Sequence, residues 1–253
     1  MRARSTGLNE IGKFSLHLED TPVEHIDKVK GTFDRRTQEP KGAVPSAVIK
    51  RLPRYHRCLG ELIKEGRLRI SSGELSRIME VTASQIRQDL NCFGGFGQQG
   101  YGYNIKYLYQ KISELLGAEE GYTAVIVGAG NLGRALAATH MFERRGVCRL
   151  ALFDTNPEII GTEIYGLPVY SVDDLTDFCK EHSVSIGVLT VPKEAAYDVA
   201  MKMANGGVRA FWNFANMELK LPSPELIVEN VHLGDSLMTL CYELKSKVGE
   251  ENG

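Results

Sequence analysis

The sequence predicts an α/β protein: a winged helix-turn-helix domain followed by a doubly wound parallel sheet. Three observations carry the prediction. The run YTAVIVGAGNLGRALAATHMFERRGVCRLALFD, Tyr122 to Asp154, reads as strand, glycine loop, helix, strand and terminal acid. Upstream, two helix-capping patterns flank a tight turn at Glu80-Val81, and a stretch rich in glycine and aromatics follows. Downstream, short apolar runs alternate with helical segments, which indicates a parallel sheet with helices on both faces.

Taken in order, residues 1–43 carry charges of both signs with little apolar periodicity, and are read as a flexible N-terminal extension. Val44 to Leu116 forms the small helical domain. Pro53 suits the first turn of a helix running to Glu65, with Tyr55, Leu59, Leu62 and Ile63 as its buried stripe. Ser71-Ser72-Gly73-Glu74 is a capping box opening a second helix, Glu74 to Met79, and Thr82-Ala83-Ser84-Gln85 opens a third, Ala83 to about Cys92. In a helix-turn-helix that third helix enters the DNA major groove. Ser84, Gln85, Arg87 and Gln88 are then its exposed candidates, with Ile86 and Leu90 facing inward.

Five glycines interleaved with aromatics, Gly94 to Tyr103, suit a β-hairpin wing lying on phosphates or the minor groove. Gln98, Gln99, Tyr101 and Tyr103 are its candidate contacts, and Arg51 joins them among the basic residues around this unit. Asn104 caps a helix from Ile105 to Leu116, and 117–121 is a linker.

In the second domain, Ala124 to Val127 is a buried strand and Leu132 to Arg145 a helix. Gly128, Gly130 and Gly133 between them form G-x-G-x-x-G, with Asp154 a further 21 residues beyond Gly133. Gly128 permits the turn, Gly130 lets the backbone approach a pyrophosphate, and Gly133 lets helix and strand pack closely. Ala129, Asn131 and Leu132 complete the loop, whose helix N-terminus offers N–H groups and partial positive charge to a diphosphate. Asp154 can accept from both ribose hydroxyls and repel a 2′-phosphate, which favours NAD over NADP. The unit is therefore Rossmann-like.

Later strands are expected at Ser185 to Val191, Ala210 to Phe214 and Ile227 to Val231, with helices from Ser171 to Glu181 and from Pro192 to Ala204. Ligands of such sheets sit at the strands' carboxyl ends. Thr190, Val191 and Pro192 lie at one such end, and Asn213 and Phe214 at another. Asp235 to Lys247 closes the chain as an amphipathic helix with Leu237, Leu240, Cys241 and Leu244 on one face. The domain boundaries are then 44–116, 117–121, 122–234 and 235–253.

The chain has 253 residues and 43% hydrophobic content, which suits two domains with real cores. Its net charge of −2 hides an asymmetry: net +5 from Val44 to Leu116, net −8 from Gly117 to Gly253. Such a split implies different partners for the two parts. No run of 18 apolar residues and no apolar signal core is present, so a cytoplasmic protein without a membrane span is expected. Five scattered cysteines, with no C-x-x-C, suit reduced thiols rather than disulfides or metal. An NAD-dependent oxidoreductase is the competing reading; Lys193 and His232 are its acid/base candidates, with no substrate-orienting set around them. A nucleotide- or CoA-binding scaffold without DNA binding is a third.

The segments VPSAVIKRLPRYHR, SSGELSRIMEVTASQIRQDL, FGGFGQQGYGYNIKYL, VIVGAGNLGRAL, LTVPKEAA, WNFAN and VENVHLGDSL resemble, in order, the Rex family of redox-sensing bacterial repressors. The resemblance covers roughly Val44 to Val248. It implies a homodimer bound to an inverted-repeat operator in double-stranded DNA, with no enzymatic activity. NADH would release the DNA, and NAD would compete while permitting repression. It implies that the last helix is exchanged between subunits, with Asp235 as its N-cap, and that Arg57, His232 and Asp235 belong to the contacts linking the domains. The chain departs from the family pattern at Gln88, Gln98 and Gln99, where basic residues are common. It departs again at Thr139-His140, where some members have a tyrosine, and at His232, where many have an aspartate.

Overall fold

A computed structural model describes residues 44–92, 97–98 and 101–251. The readings of residues 1–43, of Gln99 and of the Gln98 side chain lie outside the described residues.

The first part runs α1 (Ser46–Ile49), α2 (Leu52–Lys64), β1 (Arg69–Ile70), α3 (Ser72–Met79), α4 (Ala83–Asn91), β2 (Gly97–Gln98), β3 (Gly102–Asn104) and α5 (Ile105–Leu115). Both halves of the Ser71 capping box form: Ser71 Oγ accepts the Glu74 N–H at 3.1 Å, and Glu74 Oε2 accepts the Ser71 N–H at 2.9 Å. Glu80, left-handed at φ 52°, ends α3. Thr82 Oγ1 then accepts the Gln85 N–H at 3.1 Å and opens α4. The second box stays half made, because the Gln85 side chain turns inward to Asp89. Asn104 caps α5 through the Tyr107 N–H, as expected.

One core joins these elements: Tyr55, Leu59 and Leu62 of α2, Leu75 and Met79 of α3, Ile86 and Leu90 of α4, and Ile105, Leu108 and Ile112 of α5. Ile63, expected in the α2 stripe, packs only at its edge. The wing hairpin is three-stranded, in the order β1-β3-β2 and antiparallel throughout. Sequence reading missed β1, since two residues carry no periodicity and their pairing with β3 is remote in the chain.

The second part runs β4 (Tyr122–Val127), α6 (Asn131–Ala138), β5 (Val147–Asp154), β6 (Glu163–Ile164), β7 (Leu167–Ser171), α7 (Leu175–Glu181), β8 (Ile186–Leu189), α8 (Lys193–Asn205), β9 (Ala210–Asn213), β10 (Ile227–Asn230) and α9 (Leu233–Glu251). The sheet order is β10-β9-β8-β4-β5-β7-β6. All neighbours are parallel except β6, which folds back antiparallel on β7 at the edge. The expected doubly wound parallel sheet thus carries one antiparallel strand at its edge.

Alternation sends Val125 and Val127 to one face, against Leu175, Val199 and Met203 of α7 and α8. Ile126 goes to the other face, with Leu136 and Ala137 of α6. The helix expected from Leu132 to Arg145 is also corrected. It stops at Ala138, where Thr139 adopts extended backbone and its hydroxyl donates to the Leu136 carbonyl; a single 3-10 turn, Glu143–Arg145, follows.

The last helix starts at Leu233, two residues before the expectation. Asp235 therefore lies in its first turn rather than at its N-cap, still favourably placed against the helix dipole. Among the described residues nothing covers the apolar face of α9: Leu237, Leu240 and Leu244 are all at least 60% exposed.

Candidate functional site

Gly128, the first residue after β4, has φ +100°, and a Cβ there would lie 2.6 Å from the Thr190 carbonyl oxygen. Only glycine fits this turn without moving β8's end. A Cβ on Gly133 would meet the Gly128 carbonyl, so α6 can seat against the loop only through a glycine. Gly130 differs: a Cβ there would meet nothing within 4 Å. That open side is where a ligand's diphosphate could approach the N–H groups that begin α6, Asn131 and Leu132 among them.

The loop is braced from three directions. Asp154 Oδ2 accepts the Ala129 N–H at 2.6 Å, while Oδ1 accepts the Asn156 N–H at 2.9 Å. Thr190 Oγ1 lies 2.8 Å from the Gly128 carbonyl and 3.0 Å from that of Val127, which share its proton. Arg134 Nε donates to the Ala129 carbonyl at 2.8 Å. Asn156 and Arg134 were not among the predicted residues. Gly128 to Gly133, Asp154, Thr190, Val191, Pro192 and Phe214 all lie at the carboxyl ends of adjacent strands β4, β5, β8 and β9. Phe214 is half-buried, edge-on to Trp212 at 4.6 Å.

Asn213 reaches the same strand ends, but its side chain is fully buried and occupied. Its amide donates to the Met217 carbonyl at 3.0 Å and to Asn230 Oδ1 at 2.8 Å, and its oxygen accepts the Ala215 N–H at 3.0 Å. Expected as a lining residue, Asn213 spends its side-chain groups on these internal bonds. From Asn230 the chain of bonds continues to Glu218 Oε2 at 3.1 Å, whose Oε1 lies 2.9 Å from His232 Nε2. Among the described residues, no hydrogen bond or ion pair joins Arg57 to His232 or Asp235. A groove of about 770 Å³, lined by Tyr122, Ile186, Ala210 and Ile227 among others, opens at the opposite, amino-terminal ends of the strands. It holds none of the predicted residues, and ligands of open α/β sheets bind at the other end.

On the helical domain, Ser84, Arg87 and Gln88 of α4 face outward, and Tyr101 is 70% exposed. Arg87 Nη1 donates to Ser72 Oγ at 3.1 Å. Three predicted contacts are displaced. Tyr103 is 8% exposed and belongs to the core, because alternation along β3 sends it to the inner face and leaves Asn104 exposed. Gln85 Nε2 donates to Asp89 Oδ1 at 2.7 Å. Arg51 forms a two-pronged ion pair with the same carboxylate, Nε to Oδ2 at 2.8 Å and Nη2 to Oδ1 at 2.7 Å. Tyr55 adds a fourth bond, its hydroxyl donating to Oδ2 at 3.0 Å. Burial pushes the Asp89 carboxyl up, but these bonds outweigh it and hold it below the usual aspartate range. Asp89 escaped sequence reading, as did the bond to it from Tyr55, which was expected only in the buried stripe of α2, although the i, i+4 spacing of Gln85 and Asp89 was a usable signal.

Residues 43–91 match the family model described as a putative DNA-binding protein N-terminus, and residues 119–217 match that of a CoA binding domain. A redox-sensing transcriptional repressor Rex from Clostridium botulinum is 51% identical over 201 residues, covering 79% of this chain and 95% of the relative. The chain belongs to the Rex family. Rex from Caldanaerobacter subterraneus is 48% identical over 207 residues, covering 82% and 92% of the two chains. Among solved Rex structures, that of RSP in complex with β-NAD+ and operator DNA superposes with TM-score 0.77 at 48% identity, covering 84% of this chain and 97% of RSP. RSP in complex with β-NADH gives 0.75 at 43% identity, covering 84% and 100%. The Rex resemblance carried by the sequence motifs is thereby established.

Proposed function

We propose that this protein is a transcriptional repressor that senses the NADH/NAD balance, binds operator DNA as a homodimer in the cytoplasm, and releases it when NADH binds. One observation carries the reading: a helix-turn-helix with outward Arg87 and a braced, one-side-open dinucleotide loop share one chain of a repressor family. Ser84, Arg87, Gln88 and Tyr101 face the DNA, with Gln98 and Gln99 at the wing. Gly128 to Gly133 hold the diphosphate, Asp154 the adenosine ribose, and Thr190 to Pro192 with Phe214 line the rest. The uncovered apolar side of α9 supports dimerisation, with that helix exchanged between subunits.

The protein acts as a regulator and not as an enzyme. Of the two acid/base candidates, Lys193 lies exposed with Glu194 at 3.9 Å and His232 is engaged by Glu218. The mechanism is a population shift: NADH prefers the dimer state whose α4 helices misfit the operator. By linkage, operator must weaken NADH binding by the same factor by which NADH weakens operator binding.

The deciding experiment is an electrophoretic shift with an inverted-repeat duplex, alone and with NADH or NAD. A shift abolished by NADH and retained with NAD is expected. A shift indifferent to NADH, or NADH affinity unchanged by saturating operator, would refute the reading.

A further inference from the structure

Asp89 lies on the inward side of α4, between Ile86 and Leu90, with no exposed surface. An ionised carboxylate there is costly unless its oxygens are filled, and they are, by donors from the turn before α2, from α2 and from α4 itself. A planar guanidinium fork on a carboxylate is directional as well as attractive. It therefore constrains the rotation of α4 about its own axis, which decides whether Ser84, Arg87 and Gln88 point outward. The pair has a second consequence. The Arg51 side chain is 35% exposed on the DNA-binding domain, where a free cation would add affinity for any phosphate backbone. With Asp89 at 2.7 Å its charge is cancelled.

We propose that Asp89 is a positioning residue for operator discrimination: it sets the rotation of α4 and withholds the Arg51 charge from sequence-independent phosphate binding. Gln85, its amide turned to the same carboxylate, is a support for this arrangement rather than a reader of bases. The proposal rests on α4 being the recognition helix.

The test uses the full-length protein and fluorescence anisotropy with operator and scrambled duplexes over a range of salt concentrations. Asp89→Asn keeps the shape and removes the charge, leaving Arg51 free for one additional phosphate. The expected result is a log–log salt slope on scrambled DNA steeper by ~0.9, with operator preference lowered at least ~10-fold, a change of ~1.4 kcal/mol in discrimination. Adding Arg51→Gln to Asp89→Asn returns the slope to its starting value without restoring preference. NADH affinity without DNA stays unchanged.

If Asp89→Asn does not fold, Tyr55→Phe removes one bond to the carboxylate and should lower preference at unchanged slope; preference equal to wild type would then overturn the proposal. A folded Asp89→Asn protein with wild-type slope and preference overturns it too, leaving Asp89 a stability residue only. Wild-type protein that cannot tell operator from scrambled DNA overturns the DNA-binding reading itself, and this proposal with it.

Discussion

The Ala129 N–H donates to Asp154 Oδ2 at 2.6 Å, so the carboxylate proposed to read a ribose already holds the turn of the glycine loop. Each carboxylate oxygen has two lone pairs, and the Ala129 and Asn156 N–H groups take one on each side. Capacity for the ribose hydroxyls remains. The brace is what Asp154 shows; with the proposed ribose contact added, its removal should cost more than a peripheral contact would. Asp154→Ala is expected to weaken NADH binding ~10- to 100-fold, the effect of losing one or two charged hydrogen bonds, and to erase the preference for NADH over NADPH. Calorimetric titration with both nucleotides checks this; an intact preference would show that Asp154 does not face the ribose.

Gly130 and Gly133 should respond differently to substitution. Gly130 has ordinary backbone at φ −72° and open space beside it, so Gly130→Asp should fold. Its side chain would occupy the approach of the diphosphate with like charge. The expected variant binds operator normally and ignores NADH in the shift assay. Gly133→Ala, by contrast, would press on the Gly128 carbonyl and should lower the melting temperature.

Arg87→Ala tests the proposed DNA contact of the exposed side of α4. Loss of one base-reading or phosphate-binding arginine is worth about 1–3 kcal/mol. Operator affinity should fall by roughly tenfold or more, with NADH affinity in the absence of DNA unchanged. Joint loss of both would point to misfolding.

The apolar side chains of α9 predict the oligomeric state. Leu237 is 61% and Leu240 60% exposed within one chain. A charge in place of either would sit where a partner must cover apolar surface. Leu240→Glu should convert a dimer into a monomer in sedimentation, with operator affinity falling alongside because two half-sites are no longer bridged. A variant that stays dimeric would place the interface elsewhere.

The depressed Asp89 carboxyl sets a pH window for stability. Its folded value lies below the unfolded one of ~4, so its contribution is present in full above that value and is lost as pH falls through the folded value. The gap in melting temperature between wild type and Asp89→Asn should therefore be flat at neutral pH and close below about pH 4. A gap that widens in acid would mean that the carboxyl is raised, not lowered.

Much of the architecture was legible in the chain because its determinants are local. Ser71 with Glu74, Thr82 with the Gln85 N–H, and Asn104 with the Tyr107 N–H are contacts made within three residues. Gly128 answers the positive φ of a single turn, and Gly133 the close approach of the Gly128 carbonyl five residues before it. The apolar alternation of Val125, Ile126 and Val127 assigns them to opposite sheet faces without reference to anything distant. What the sequence by itself determined was therefore the order of elements, the glycine loop after β4 and the paired helices α3 and α4, and through its motifs the family.

The tertiary structure decided which polar side chains remain free, because that depends on partners remote in sequence. Arg51 meets Asp89 across 38 positions, and Tyr55 across 34. Asn213 is drawn inward by Asn230, 17 residues away. Tyr103 turns to the core because the inner face of β3 packs on the helices of this domain. A basic or amide residue in a helical sequence looks the same whether solvent or a buried carboxylate satisfies it. Only packing brings the carboxylate within 3 Å, and the high cost of leaving such a group unpaired then commits its neighbours.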